Sequence, residues 1–156
     1  MATPTSAATR SDFDEPDLAI EANFFSEHMD WPVSIDVTHQ RLVVHTGDVL
    51  DALVLPRSLA EPVALDLSSS LMAGPVSRDN RDRWWTFITE PCQRQNVELP
   101  HDLRATRVHA VPPGGELVIP PIAETTSWWQ QPQPGRLLPP WSAVVAIARR
   151  VINRGR

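Results

Sequence analysis

The chain has 156 residues, 42% of them hydrophobic, a formal net charge of −5 and a single cysteine. That length fits one domain, which on folding buries about 68–70% of the surface its unfolded chain exposes. One cysteine excludes an internal disulfide and a cysteine-based metal site, no apolar run is long enough to span a membrane, and the acidic balance argues against a module that grips phosphates over a broad basic face.

Residues 1–13 are small, polar and unpatterned, and are expected to form a disordered tail ahead of one domain over 14–153. The N-terminus lacks the charged-then-apolar layout of a secretory signal, so a cytoplasmic location is expected. Asp14 or Glu15, with Pro16 in the first turn, predicts a helix start. Leu18, Ala22, Phe25 and Met29 then recur at helical spacing and define one apolar face. Trp31 to Val37 predicts a strand in which Trp31, Val33, Ile35 and Val37 share a face.

A second strand is predicted over Arg41 to His45, closed by the tight turn Thr46-Gly47-Asp48. Val49 to Leu55 is almost wholly apolar, the pattern of a central strand covered on both faces, and Asp51 interrupts it. Glu61 and Pro62 predict the start of a helix lined by Val63, Leu67 and Leu71 and stopped by Gly74-Pro75. SRDNRDR over residues 77–83 reads as a charged loop, and Trp84 to Thr89 as a second core strand beside the first. Leu99 to Leu103 predicts one helical turn. Val108 to Val111 and Glu116 to Ile119 read as a hairpin around Pro112-Pro113-Gly114-Gly115. Trp128 to Gln130 is a last short strand, and Gln131 to Pro140 an extended proline-rich arm. From Pro140 a helix follows, with Trp141, Val144, Val145, Ala148, Val151 and Ile152 on one face and arginines at its C-terminal end. The class is α+β: an antiparallel or mixed central sheet flanked by N-terminal, central and C-terminal helices.

Several of these stretches, in order, resemble the N-terminal domain of bifunctional DNA primase/polymerases, the Prim-Pol branch of the archaeo-eukaryotic primases, in its shortened actinobacterial form. FSEHMDWPV at 25–33 resembles the opening helix and Trp-Pro-Val strand. LVVHTGDVLDALVL at 42–55 resembles the strand–Thr-Gly–strand unit that carries the first metal carboxylate. Residues 72–91, GELVIPP at 115–121 and Trp128-Trp129 resemble the later elements, so the resemblance covers roughly residues 20–152.

The departures carry as much information. Polymerising members hold divalent metals on two carboxylates two residues apart on one strand, because paired metals stabilise both the attacking and the leaving oxygen. Asp51 stands where the first carboxylate would be, but the second position is Leu53, which cannot ligate a hard cation. The family's histidine before the later strand is missing from Arg83-Trp84-Trp85, and the segment between the first two strands is cut to a few residues. The resemblance therefore implies a scaffold without polymerase catalysis, with no cofactor and no metal, and with Asp51 as a vestige.

Read without the family, Asp51 is equally a capped carboxylate or the partner of an arginine in 78–83. His28, His39, His45, His101 and His109 lack ligand spacing, and Cys92 reads as a plain thiol. The six tryptophans include the pairs Trp84-Trp85 and Trp128-Trp129, and in a strand one member of each pair faces the core and the other faces outward or lies under a helix. Outward tryptophans near Arg78, Arg81 and Arg83 suit two kinds of partner. Trp84, Trp128 and Trp129 with these arginines form a stacking platform for single-stranded nucleic acid or a nucleotide. The same residues suit a protein interface or a homo-oligomer.

Overall fold

The computed structural model of the chain describes residues 17–92 and 98–155. The expected tail, the cap at Asp14 or Glu15 and Arg156 lie outside them. The fold is α+β, and its strands form two wholly antiparallel sheets.

Helix α1 spans Leu18–His28 and is capped by Asp17, whose carboxylate accepts the N–H groups of Ala19 and Ile20. Three strands follow: β1 (Ser34–Asp36), β2 (Arg41–His45) and β3 (Asp51–Pro56). Helix α2 (Arg57–Ser69) leaves β3 without a loop. Strands β4 (Val76–Arg78) and β5 (Trp84–Thr89) come next, then helix α3 (His101–Ala105), β6 (His109–Ala110) and β7 (Glu116–Ile119). A 3₁₀ turn at Thr125–Ser127 leads into β8 (Trp128–Gln130), and helix α4 (Trp141–Arg154) closes the chain.

The five-stranded sheet has the order β6-β3-β5-β4-β8 and the three-stranded sheet the order β1-β2-β7. β3 and β5 are neighbours, as their apolar runs predict, with Asp51 opposite Thr89 and Pro56 opposite Trp84. Alternation along these strands sends Leu53, Leu55, Trp85 and Phe87 to one face, where they pack with Val63 and Leu67 of α2, Leu103 of α3 and Val144 and Ile147 of α4. Ala52, Ile88 and Trp128 face the other way and pack with Leu42, Val44, Leu117 and Ile119 of the small sheet and Phe25 of α1. β3 is thus sandwiched between helices and a second sheet, which is why its sequence lacks polar alternation.

Two of the three passages between the sheets run side by side. The chain crosses from β2 to β3 through Thr46–Leu50 and back from β6 to β7 through Val111–Gly115. Thr46 ties them together: its hydroxyl donates to Pro112 O (2.7 Å), its N–H to Gly115 O (3.0 Å), and its carbonyl accepts the Gly114 N–H (2.8 Å). Gly47 holds φ at 115°, which a side chain would resist. These bonds correct the expected 108–119 hairpin. β6 pairs with β3 and β7 with β2, so the Pro-Pro-Gly-Gly turn joins two sheets rather than two partners.

Three boundaries also differ from expectation. The strand from Trp31 is only three residues long. Trp31 and Val33 are buried, and Trp31 stacks on Phe25 at 5.5 Å, whereas Val37 is 71% exposed. Helix α2 begins five residues before Pro62, because Leu59 and Ala60 are already buried against the sheet. Pro62 therefore sits inside the helix, where the carbonyl it leaves unbonded is that of exposed Ser58. Finally, Leu71 rather than Gly74 turns the chain out of α2. Leu71 adopts φ 60°, is 93% exposed, and lets the Met72 N–H reach Leu67 O.

The arginines of α4 fasten it to its neighbours. Arg149 bonds Asp102 of α3 at 2.9 Å, and Arg150 and Arg154 converge on Asp66 of α2. Among the described residues no helix is long and apolar enough to cross a membrane.

Candidate functional site

Asp51 opens β3 on the helix-covered face of the large sheet. It is 4% exposed, and its Oδ2 accepts the Cys92 backbone N–H at 2.6 Å. The carboxylate therefore pins the chain just beyond β5 and does not pair with an arginine of the 78–83 loop. Its second oxygen, Oδ1, is buried without a hydrogen-bond partner. Leu53, two residues on and on the same face, is 1% exposed within the helix-side core. The position that would complete a carboxylate pair is thus filled by packing. Among the described residues no three His, Cys, Asp or Glu side chains are grouped so as to hold a metal ion.

Cys92 is half-buried and lines a cleft of about 560 Å³ between residues 90–92 and 98–100 on one side and α4 on the other. Pro91, Leu99, Trp141 and Val145 give it apolar walls, and Asp51 is not among its lining residues.

The remaining sequence-predicted residues cluster near the opposite end of the large sheet, but on both of its faces. β4 and β5 form a hairpin whose turn is organised by its own carboxylates. Asp79 accepts the N–H groups of Arg83 and Trp84 at 2.7 and 3.1 Å. Asp82, at φ 55°, accepts the Trp85 indole N–H at 2.7 Å and pairs with Arg57 at 3.0 Å. Arg78 lies over the Trp85 ring at 5.9 Å and donates to Thr126 O, while its Nε is buried without a partner. It ties β4 to the turn before β8. Trp85 in turn meets Trp129, with ring centroids 5.8 Å apart, so Trp129 is held against the helix-side core.

Trp128 is core. It is 4% exposed, and its indole N–H donates to Pro121 O at 3.1 Å, which removes it from any outward platform. Trp84 is half-buried on the face opposite Trp85, and its ring meets that of exposed His109 in a tilted contact, centroids 5.4 Å apart. Sequence reading had no means to join His109 to Trp84, because the pairing runs through β3: Val54 opposes His109 and Pro56 opposes Trp84. Arg81 and Arg83 are exposed in the turn and have no ion-pair partner among the described residues.

Compared with protein-family models, with curated protein sequences and with solved structures, the chain gives no match.

Proposed function

We propose that the chain is a Prim-Pol-like domain that has lost polymerase catalysis and serves a regulatory, nucleotide- or nucleic-acid-associated role. The observation that carries this reading is the state of β3. Its one carboxylate, Asp51, is sealed against the Cys92 N–H, and the place of a second is taken by core Leu53. Two hard cations need oxygen ligands that converge on open space, and this strand end supplies neither the second ligand nor the space. What remains accessible are arginines and the half-buried Trp84 beside His109 at the far end of the same sheet.

The test is tryptophan fluorescence titrated with a short single-stranded DNA at low and moderate salt, with and without magnesium or manganese, beside a primer-synthesis assay. The reading expects quenching that fades with salt, independence of metal and no primer synthesis. Metal-dependent synthesis abolished by Asp51→Ala overturns the loss of catalysis, and the absence of binding at every salt overturns the nucleic-acid role.

A second reading, a protein-interaction module on the same scaffold, draws on one observation. Among the described residues, β1 and β7 are the edges of the small sheet with no further strand beside them, and Ile35, Val37 and Val118 are exposed. It expects self-association or a protein partner without nucleic-acid binding, and a molar mass that rises with concentration checks the first of these.

A further inference from the structure

We propose that single-stranded nucleic acid is held on the uncovered half of the large sheet, by the paired Trp84 and His109 rings together with Arg81, Arg83 and Arg107. This rests on the nucleic-acid reading above and assigns it a location. That location lies on the face of the sheet opposite Asp51, so it is distinct from the position of the vestigial carboxylate.

The small sheet covers only part of the large one. Ala52, Ile88 and Trp128 lie beneath it, whereas Val54, Thr86 and Trp84 on the same face are half-buried and His109 is exposed. Along this open half the Trp84 and His109 rings, 5.4 Å apart and tilted by 38°, form an aromatic ledge. Aromatic side chains on a sheet take bases by stacking, with little regard to sequence.

Charge at this end favours an anionic strand. Of the two carboxylates in the β4–β5 turn, Asp79 is occupied by backbone N–H groups and Asp82 by Arg57 and the Trp85 indole. Arg81 and Arg83 share that turn, and Arg107 stands two residues before His109 in the turn that enters β6. All three are exposed, and none makes an ion pair among the described residues. Most other arginines of the fold are engaged: Arg41, Arg57, Arg149, Arg150 and Arg154 all have carboxylate partners. In a chain of net charge −5, exposed arginines in the turns that lead into the two strands carrying Trp84 and His109 match a phosphate backbone with an adjacent base. A separate groove of about 470 Å³, lined by Asn80 of this turn and by Arg41, Val118 and Glu124 among others, does not include Trp84 or His109.

The test is fluorescence anisotropy of a labelled oligothymidylate with the full chain, over a range of salt. The variants are Trp84→Leu, His109→Ala and Arg107→Ala, and Arg136→Ala is the control for loss of one exposed positive charge elsewhere. Far-UV circular dichroism checks that each is folded, and the exposed His109 and Arg107 keep the test sharp if Trp84→Leu is not. Trp84→Leu is expected to weaken binding roughly 5- to 150-fold. Arg107→Ala is expected to lower the slope of log affinity against log salt by about 0.7, the value for one phosphate contact on a single strand. Wild-type binding that all three variants share with Arg136→Ala overturns this location and leaves the nucleic-acid reading standing. No wild-type binding removes that reading and the site with it.

Discussion

Asp51 accepts the backbone N–H of Cys92 at 2.6 Å, joining the first residue of β3 to the chain just after its neighbour β5. A carboxylate that is 4% exposed and gives one oxygen to a main-chain donor acts as a structural staple between strand ends. Asp51→Ala removes the acceptor from a part-buried N–H and is expected to destabilise the fold by about 1–3 kcal/mol. Asp51→Asn keeps an acceptor oxygen and is expected to lose less. Urea denaturation of the two variants checks the order, and equal losses would mean that the charge rather than the bond is what matters.

Introducing a second carboxylate two residues after Asp51 is not expected to create a metal site. Leu53→Asp places an ionisable group among Val63, Leu67, Phe87 and Val144 of the helix-side core. Removal of the leucine alone is worth roughly 2–5 kcal/mol, and burying an unpaired charge adds to it. The expected outcome is a large loss of stability with no gain in manganese affinity, read by thermal melts with and without the ion. A variant that is stabilised by manganese would show that β3 can open.

Glu21 reaches from α1 to the chain after β7, where its two oxygens accept the N–H groups of Ile122 and Ala123 at 2.7 and 3.2 Å. The contact is partly solvated, so Glu21→Ala is expected to cost about 1–2 kcal/mol. Amide hydrogen exchange at Ile122 is expected to accelerate far more than exchange in β5, which locates the loss at this clasp.

Asp102 and Asp36 set part of the acid limit. The Arg149 guanidinium bonded to Asp102 holds its carboxyl below the ordinary aspartate value, and the His39 ring bonded to Asp36, with Arg41 behind it, does the same there. A carboxyl depressed on folding adds stability above its unfolded value and loses it as pH falls through the folded one. Arg149→Gln is therefore expected to raise the Asp102 titration midpoint and to lessen the part of the acid destabilisation that Asp102 carries. Carboxyl-carbon NMR titration of both aspartates checks this, with Asp36 unchanged in the variant.

The parts of the fold that were legible in the sequence are those dictated by local pattern. WWTFIT and DALVL are too apolar to be anything but covered strands, and they are neighbours with α2 across them. Trp141 to Ile152 likewise shows its buried stripe at helical spacing. What could not be read depends on partners distant in the chain. β6 and β7 are two and four residues long, and their pairing with β3 and β2, with the Thr46 bonds to Pro112, Gly114 and Gly115 between them, places them in different sheets. The same holds for the site. Arg81, Arg83 and Trp84 stand out in the sequence, but His109 and Arg107 enter only through the pairing of β6 with β3, and Trp128 leaves because Pro121 meets its indole.

The Thr46 junction has a consequence for the chain as an inherited object. Residues 34–45 and 116–119 make one sheet, while 51–89, 109–110 and 128–130 make the other, so neither sheet is a continuous stretch of sequence. No single cut in the gene separates one whole sheet from the other whole sheet. The two layers must be copied, lost or recombined together, and a truncation on either side of Pro112 leaves both incomplete.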